Sequence, residues 1–337
     1  MYADVLDGWA FITKRRLAEA LDQLGDRADV TIVWRPYVID PTAPSPSRDL
    51  ATERLEPTVE ASLQQTAPGV DAAIDRLEVG QLALEIGIPA WNPQWRASSW
   101  AAHRMITSAL DDHGPGRQAE VVEAIFTAHF VDGADINSLD FLRGLADRYE
   151  LPPPVALTDV DAAPAYLQPG FPKDDPVERS TREAQLSGKA IGAAGSPTFV
   201  ANSVIIGAGV MARDELAQMI LEVVADPPSE VPDEVRRFRN ARALLAAGNP
   251  LGALYLLAPL RPEYDGVRGF ETLTARALAA SASLEPARKK LEELIERWPD
   301  DAYLRMLLGK TLKRMQDPAA DKHIALASAM NPEFLDF

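Results

Sequence analysis

The chain has 337 residues, 47% hydrophobic and 25% charged, and no cysteine. That length exceeds one average domain and can bury a core without covalent staples, and the missing cysteines exclude disulfides and any thiol chemistry by the protein's own side chains. The formal net charge of −16 opposes binding to phosphate backbones and anionic membrane surfaces, and favours solubility.

In chain order, Tyr2 to Val5 is a short candidate strand. Gly8 to Leu24 predicts a helix, because Phe11, Ile12, Leu17, Ala20, Leu21 and Leu24 fall near a 3.6-residue period. Gly25 stands where a helix stop belongs. Val30 to Val38 is rich in β-branched and aromatic residues and predicts a strand. Pro41, Pro44 and Pro46 make Asp40 to Arg48 a loop. Helical spacing follows over Val70–Ile86, Ser98–Asp112, Gln118–Phe130 and Ser138–Tyr149. Thr158–Ala162 and Pro169–Pro176 predict loop, and Val177–Ser187 another helix. Thr198–Ala201 and Val204–Gly207 are apolar runs split by Asn202 and Ser203, which suits a hairpin. Arg213 to Ala225 predicts a last amphipathic helix.

Residues 226–232 are rich in proline and read as a linker, so residues 1–225 and 233–337 are expected to be separate domains. The charge divides there too. Residues 233–337 carry 16 basic and 15 acidic side chains, whereas residues 1–232 carry 18 and 35. The second part predicts only helices. Leu244–Gly266, Ala277–Asp301 and Thr311–Glu333 each hold a helix end, a polar turn, an apolar helix and a proline stop. Ala275 and Leu278 recur as Gly309 and Leu312 at an offset of 34 residues. This resembles a short tetratricopeptide array, whose repeats must stack to bury their apolar faces.

The chemistry-bearing segments are Asp4 to Leu17, Trp34 to Pro44, Ala102 to Met105, Ala124 to Phe130 and Gly195 to Val200. Taken in this order, residues 2–225 resemble the DsbA-like family, in particular its cytoplasmic FrnE-like branch. The resemblance implies an α/β thioredoxin fold with a large helical insertion at about residues 50–187, followed here by the all-α repeat domain. It also implies a cis-proline at Pro197, facing the start of the first helix. The family carries Cys-Pro-Trp-Cys at that helix start. This chain has Asp7, Gly8, Trp9 and Ala10 instead, and Thr13 where glycine is usual. The implied first strand extends further back, so the start is expected to be shortened.

A thiolate is the nucleophile of disulfide exchange, so the family's redox activity does not carry over. Asp7 reads first as a helix N-cap, a role that lowers a carboxyl pKa, and second as a general acid or base. His103 is a remote second catalytic candidate. The expected binding face is Asp7, Gly8, Trp9, Ala10, Ser196 and Pro197, where the Pro197 loop could accept an extended peptide by strand addition. His103, His113, His129 and His323 lack metal-ligand spacing, and His103 and His129 read as packed structural residues. Trp91, Trp95 and Trp100 form an aromatic group that reads as a packed cap on the insertion.

Three functions remain open. The favoured one is a non-redox protein-binding adaptor or chaperone-like module. The second is an enzyme of altered chemistry, isomerase- or cyclase-type, acting on a small molecule. The third is a remnant fold kept for homodimer assembly. No cofactor, metal, nucleic acid or membrane is expected. No apolar run spans a bilayer and the first ten residues lack a secretory pattern, so the cytoplasm is the expected compartment.

Overall fold

A computed structural model describes residues 1–53, 72–154 and 175–336. It divides into two compact units. The first comprises Met1–Gly188 with Gly192–Ser229, the second Lys189–Ile191 with Glu230–Phe337.

In the first unit a four-stranded mixed sheet runs in the order β2-β1-β5-β6. β1 (Tyr2–Ala3) pairs in parallel with β2 (Arg35–Pro36), Tyr2 opposite Arg35. On its other edge β1 meets β5 (Thr198–Ala201) antiparallel, Tyr2 opposite Thr198. β5 continues into β6 (Val204–Ala208) as a hairpin. Its two turn residues, Asn202 and Ser203, have φ of 44° and 68°, as a tight hairpin turn between right-twisted strands requires. A second, two-stranded sheet pairs β3 (Arg48–Asp49) with β4 (Trp95–Arg96).

α1 (Gly8–Leu24) begins at its Asp7 cap and stops at Gly25, whose φ is 51° and whose N–H returns to the Leu21 carbonyl. Its buried stripe of Ala10, Phe11, Ile12, Leu17, Ala20 and Leu24 faces the core. There Phe11 stacks on Phe126, ring centres 4.9 Å apart. α7 (Arg213–Ala225) packs along α1. Between the strands lie α2 (Ala72–Glu85), α3 (Trp100–His113), α4 (Pro115–Phe130), α5 (Leu139–Tyr149) and α6 (Pro176–Ala190). These match the expected helices within a few residues. Val70 and Asp71, the loop at Thr158–Ala162 and all of the Pro169–Pro176 loop except its last two residues lie outside the described residues. Among the described residues no helix is long and apolar enough to cross a membrane.

The expected strand over Val30–Val38 shrinks to two residues. Its ladder is limited by β1, which offers only Tyr2 and Ala3 as partners, and just before it a side chain from the helical layer serves the backbone of Trp34. The Trp34 N–H donates to Gln118 Oε1 at 2.9 Å, and Gln118 Nε2 donates back to the Trp34 carbonyl at 3.0 Å. Gln118 is fully buried, and it takes the place of a neighbouring strand at Trp34.

The second unit is a series of helical hairpins. α8 (Asp233–Ala246) packs on α9 (Pro250–Leu257), α10 (Arg268–Ala280) on α11 (Leu284–Arg297), and α12 (Ala302–Arg314) on α13 (Ala320–Met330). The first helices of the hairpins begin at Asp233, Arg268 and Ala302, 35 and 34 residues apart. Small buried residues recur at one position of the first helices. Ala241 and Ala275 are fully buried, and Gly309 holds the matching place in α12.

A Cβ on Gly309 would lie 2.6 Å from Ile324 Cγ1, 3.0 Å from the Ile324 nitrogen and 3.2 Å from the Ala320 carbonyl oxygen. Two of these are backbone atoms and cannot swing aside. Gly309→Ala should therefore destabilise the protein by roughly 1–3 kcal/mol through overpacking, although alanine is the better helix former by about 1 kcal/mol. Denaturant titration checks this, and a neutral or stabilising Gly309→Ala would show that α12 and α13 are not in this contact.

Candidate functional site

The expected face is built where the turn after β1, the start of α1 and the loop before β5 converge. The Ser196–Pro197 peptide is cis. The Asp4 N–H donates to Ser196 Oγ at 3.0 Å, which joins that loop to the turn. Asp7 caps α1, its Oδ1 accepting from the Trp9 N–H at 2.9 Å. The residues expected to form the face are thus brought together, and the face is partly covered: Gly8, Trp9 and Ser196 are half-buried and the other three residues are enclosed. Asp7 is 8% exposed and Ala10 not at all, and Pro197 is buried. Gly8 lies directly under the helical layer. A Cβ there would come within 2.6 Å of Val79 Cγ1 and 2.8 Å of the Trp91 ring. Trp91 in turn stacks on Phe130 with centres 4.5 Å apart. Nor does the Pro197 carbonyl offer an open edge for strand addition, since it already accepts from the Gly209 N–H at 2.8 Å.

The three tryptophans separate into three environments rather than one group. Trp91 roofs the start of α1, the Trp95 indole donates to the Gly133 carbonyl at 3.0 Å, and fully buried Trp100 donates to Glu178 Oε2 at 2.9 Å.

Under the face lies a residue that sequence reasoning passed over. Asp4 is completely buried. Its Oδ1 accepts from the Leu6 N–H at 3.1 Å and its Oδ2 from the Ile39 N–H at 2.7 Å. His103 is buried beside it, with Nε2 donating to the Tyr37 carbonyl at 2.9 Å and standing 3.5 Å from Asp4 Oδ1. The remote catalytic candidate is therefore held by a backbone carbonyl and a carboxylate beneath the face. The available signal was Asp4 itself, an acid set between the apolar residues Tyr2, Ala3 and Val5.

Two buried polar atoms of this region have no hydrogen-bond partner, Asp7 Oδ2 and His129 Nδ1. Their electrostatics differ from the capping expectation. Burial raises the Asp7 pKa to about 7. The Ser196 hydroxyl and the Trp9 and Ala10 amides pull it down, while the Asp4 charge adds to the rise. Capping was expected to lower it, but desolvation of a nearly enclosed carboxyl outweighs these hydrogen bonds. His129, edge-on to Phe130, is pushed down to about 4 by burial against the opposing pull of Asp4. At neutral pH the site thus holds a carboxyl that can keep or release its proton and an uncharged imidazole. Among the described residues no group of three or more His, Cys, Asp or Glu could hold a metal ion. A cleft of about 750 Å³ opens between α4 and α5, lined by Glu120, Glu123, Thr127, Asp132, Asp140 and Phe141 among others, and no residue of the Asp7 face lines it.

The two shifts act on stability with opposite signs. A raised Asp7 pKa means the folded state holds this proton more firmly, so its contribution is full below about 4 and is lost as pH rises through 7. A lowered His129 pKa gives a contribution present above 6.5 and lost as pH falls through 4. Asp7→Asn should therefore gain on the parent between pH 4 and 7, by at most about 1.4 kcal/mol per pH unit. His129→Asn should gain on the parent as pH falls from 6.5 to 4. Denaturant titrations across pH 4–8 read both, and a pH-independent difference between Asp7→Asn and the parent would place the Asp7 titration outside this range.

The family comparison agrees with this fold. The DSBA-like thioredoxin domain matches over residues 1–220. No curated protein matches the chain. Among solved structures, a probable DsbA oxidoreductase from Streptomyces coelicolor is similar at 19% identity, covering 69% of this chain and 92% of that one with a TM-score of 0.49. On the domain match, which spans well over half of its length, the chain belongs to the DSBA-like thioredoxin family.

Proposed function

We propose that this is a cytoplasmic, non-redox, FrnE-like member of the family, one that works as a protein-binding adaptor through a C-terminal tetratricopeptide-like array. The observation that carries the reading is the enclosure of the two positions where a thioredoxin face would hold its thiols. The positions that would hold thiols, Asp7 and Ala10, are buried, with Val79 and Trp91 over the adjoining Gly8. The second unit supplies the alternative surface. Its hairpins begin at a spacing of 34–35 residues, with Ala241, Ala275 and Gly309 buried at matching places in their first helices, which suits stacked repeats with an exposed face.

A second reading rests on Asp7. A carboxyl whose pKa is raised to about 7, with one oxygen unpartnered, has the properties of a general acid or base. On that reading the protein is an isomerase- or cyclase-type enzyme and the Asp7–Pro197 region opens to admit a small molecule. An Asp7→Asn variant with full turnover would exclude it.

For the adaptor, the full-length protein is expected to retain polypeptides from lysate and to slow aggregation of a heat-unfolded client. It is also expected to leave the dithiothreitol-driven reduction of insulin unaccelerated. Retention of no polypeptide, together with no effect on aggregation, sinks the adaptor reading.

A further inference from the structure

The first helices of the three hairpins carry exposed cations in one register. Arg242 in α8, Arg276 in α10 and Lys310 in α12 follow one another at intervals of 34 residues, and all three are exposed. On each helix the residue just before the cation is the buried small one, Ala241, Ala275 or Gly309. The cations therefore occupy the same place on each hairpin. On the middle helix the exposed stripe runs through Gly269, Arg276 and Ala280, one turn apart or two, as a single helix face requires.

Side-chain contacts join the stripes into one surface. The Arg276 guanidinium lies over the Tyr303 ring at 5.9 Å, and Tyr303 of α12 is 40% exposed. Arg314, at the end of α12, donates to the Ala279 carbonyl of α10. Arg314 and Lys313 extend the positive charge past Lys310, and Arg239 extends it before Arg242. Carboxylates are few beside the row. α12 contains none, and the one in α10, Glu271, is buried and pairs with Lys290 at 2.6 Å. The two in α8 lie in its first turn, where Asp233 pairs with Arg236 and Arg237 and Glu234 stands two turns before Arg242. This balance is the reverse of the molecule's, which carries 50 acidic against 34 basic side chains.

We infer that this cationic row binds an extended acidic polypeptide segment with a carboxylate at every third residue. The inference rests on the adaptor reading and names its partner chemistry. Packed helices lie ~8–10 Å apart, so equivalent side chains on successive hairpins recur at about that distance. A polyproline II segment has three residues per turn and rises ~3.1 Å per residue. It therefore presents every third side chain on one face with a repeat of ~9 Å, which matches the row. An α-helix repeats its face at ~5.4 Å and does not match. Tyr303 offers an aromatic platform of the kind that grips proline-rich segments. Nucleic acid also carries regularly spaced anions, but residues 1–232 hold 35 acidic against 18 basic side chains and repel a polyphosphate far more than a short peptide.

The test uses the full-length protein and a fluorescein-labelled peptide of three Glu-Pro-Pro repeats, read by anisotropy. Three competitors are compared: the Gln-Pro-Pro counterpart, a peptide of the same composition with its three glutamates adjacent, and a single-stranded oligonucleotide of equal charge. The Glu-Pro-Pro peptide is expected to bind most tightly and to weaken with salt. Combined Arg242→Glu, Arg276→Glu and Lys310→Glu should weaken it by tenfold or more. Thr272→Glu, which sets a carboxylate one turn before Arg276, should weaken it a few-fold. Circular dichroism checks the fold of the triple variant, and Arg276→Gln alone, with an expected loss of a few-fold, serves if the triple does not fold.

No binding of the Glu-Pro-Pro peptide, equal binding of the glutamine peptide, or unchanged affinity in the folded variants overturns the proposal. Tighter binding of the oligonucleotide overturns it in favour of nucleic acid. If the parent and the triple variant retain the same lysate polypeptides, the row is refuted while the adaptor reading stands. If the parent retains none and does not slow aggregation of the unfolded client, the adaptor reading itself fails.

Discussion

The first unit is tied together at one buried carboxylate. Asp4 accepts from Leu6 in the turn before α1 and from Ile39 in the segment after β2, and its own N–H reaches Ser196 in the loop before β5. His103, from the helical layer, stands beside it. Four pieces of chain, distant in sequence, meet at this residue. Burying a carboxylate costs several kcal/mol unless its oxygens are satisfied, and hydrogen bonds to a charged group contribute ~1.5–3 kcal/mol each. The cost is met only when all these segments are in place. Asp4 therefore fixes the turn that presents Asp7 and the loop that presents Pro197.

That fixed charge sets the electrostatics around it. It adds to the rise at Asp7 and opposes the fall at His129. Yet desolvation is the largest cause at both residues, and it moves their pKa values in opposite directions because one group is anionic when charged and the other cationic. Over mildly acidic pH one loses a proton-linked contribution while the other gains one. Two buried groups with unpartnered atoms can thus coexist without leaving the pair strongly sensitive to pH.

Much of this was legible in the sequence. Periodicity placed α1 and α7 at their observed limits, and the Asn202–Ser203 pair marked the hairpin, because local spacing and turn chemistry decide those elements. What was missed depends on distant partners. Val30–Val38 has strand composition, but Gln118, some 84 residues later, satisfies Trp34 in place of a strand. Asp7 was rightly placed as a cap, but the direction of its pKa shift depends on enclosure, and Gly8 gives no hint of Val79 and Trp91 above it. In the second unit, the offset of Ala275 and Leu278 to Gly309 and Leu312 was visible. The charged register at Arg242, Arg276 and Lys310 stands out only once the buried neighbours fix which face each helix exposes.

The absence of cysteine and the enclosure of Asp7 and Ala10 are two aspects of one constraint. Disulfide exchange requires one sulfur to approach another through a mixed intermediate, so a working thiol must stay open to its partner. Asp7 and Ala10 carry no such requirement. An alanine at the second position can be wholly enclosed at no polar cost, and a glycine at position 8 lets the Trp91 ring settle directly on the helix start. With that ring seated on Phe130, the helix start makes apolar contact at Gly8. In this chain the two positions that would carry the reaction are enclosed, while Gly8, Trp9 and Ser196 beside them stay half-buried.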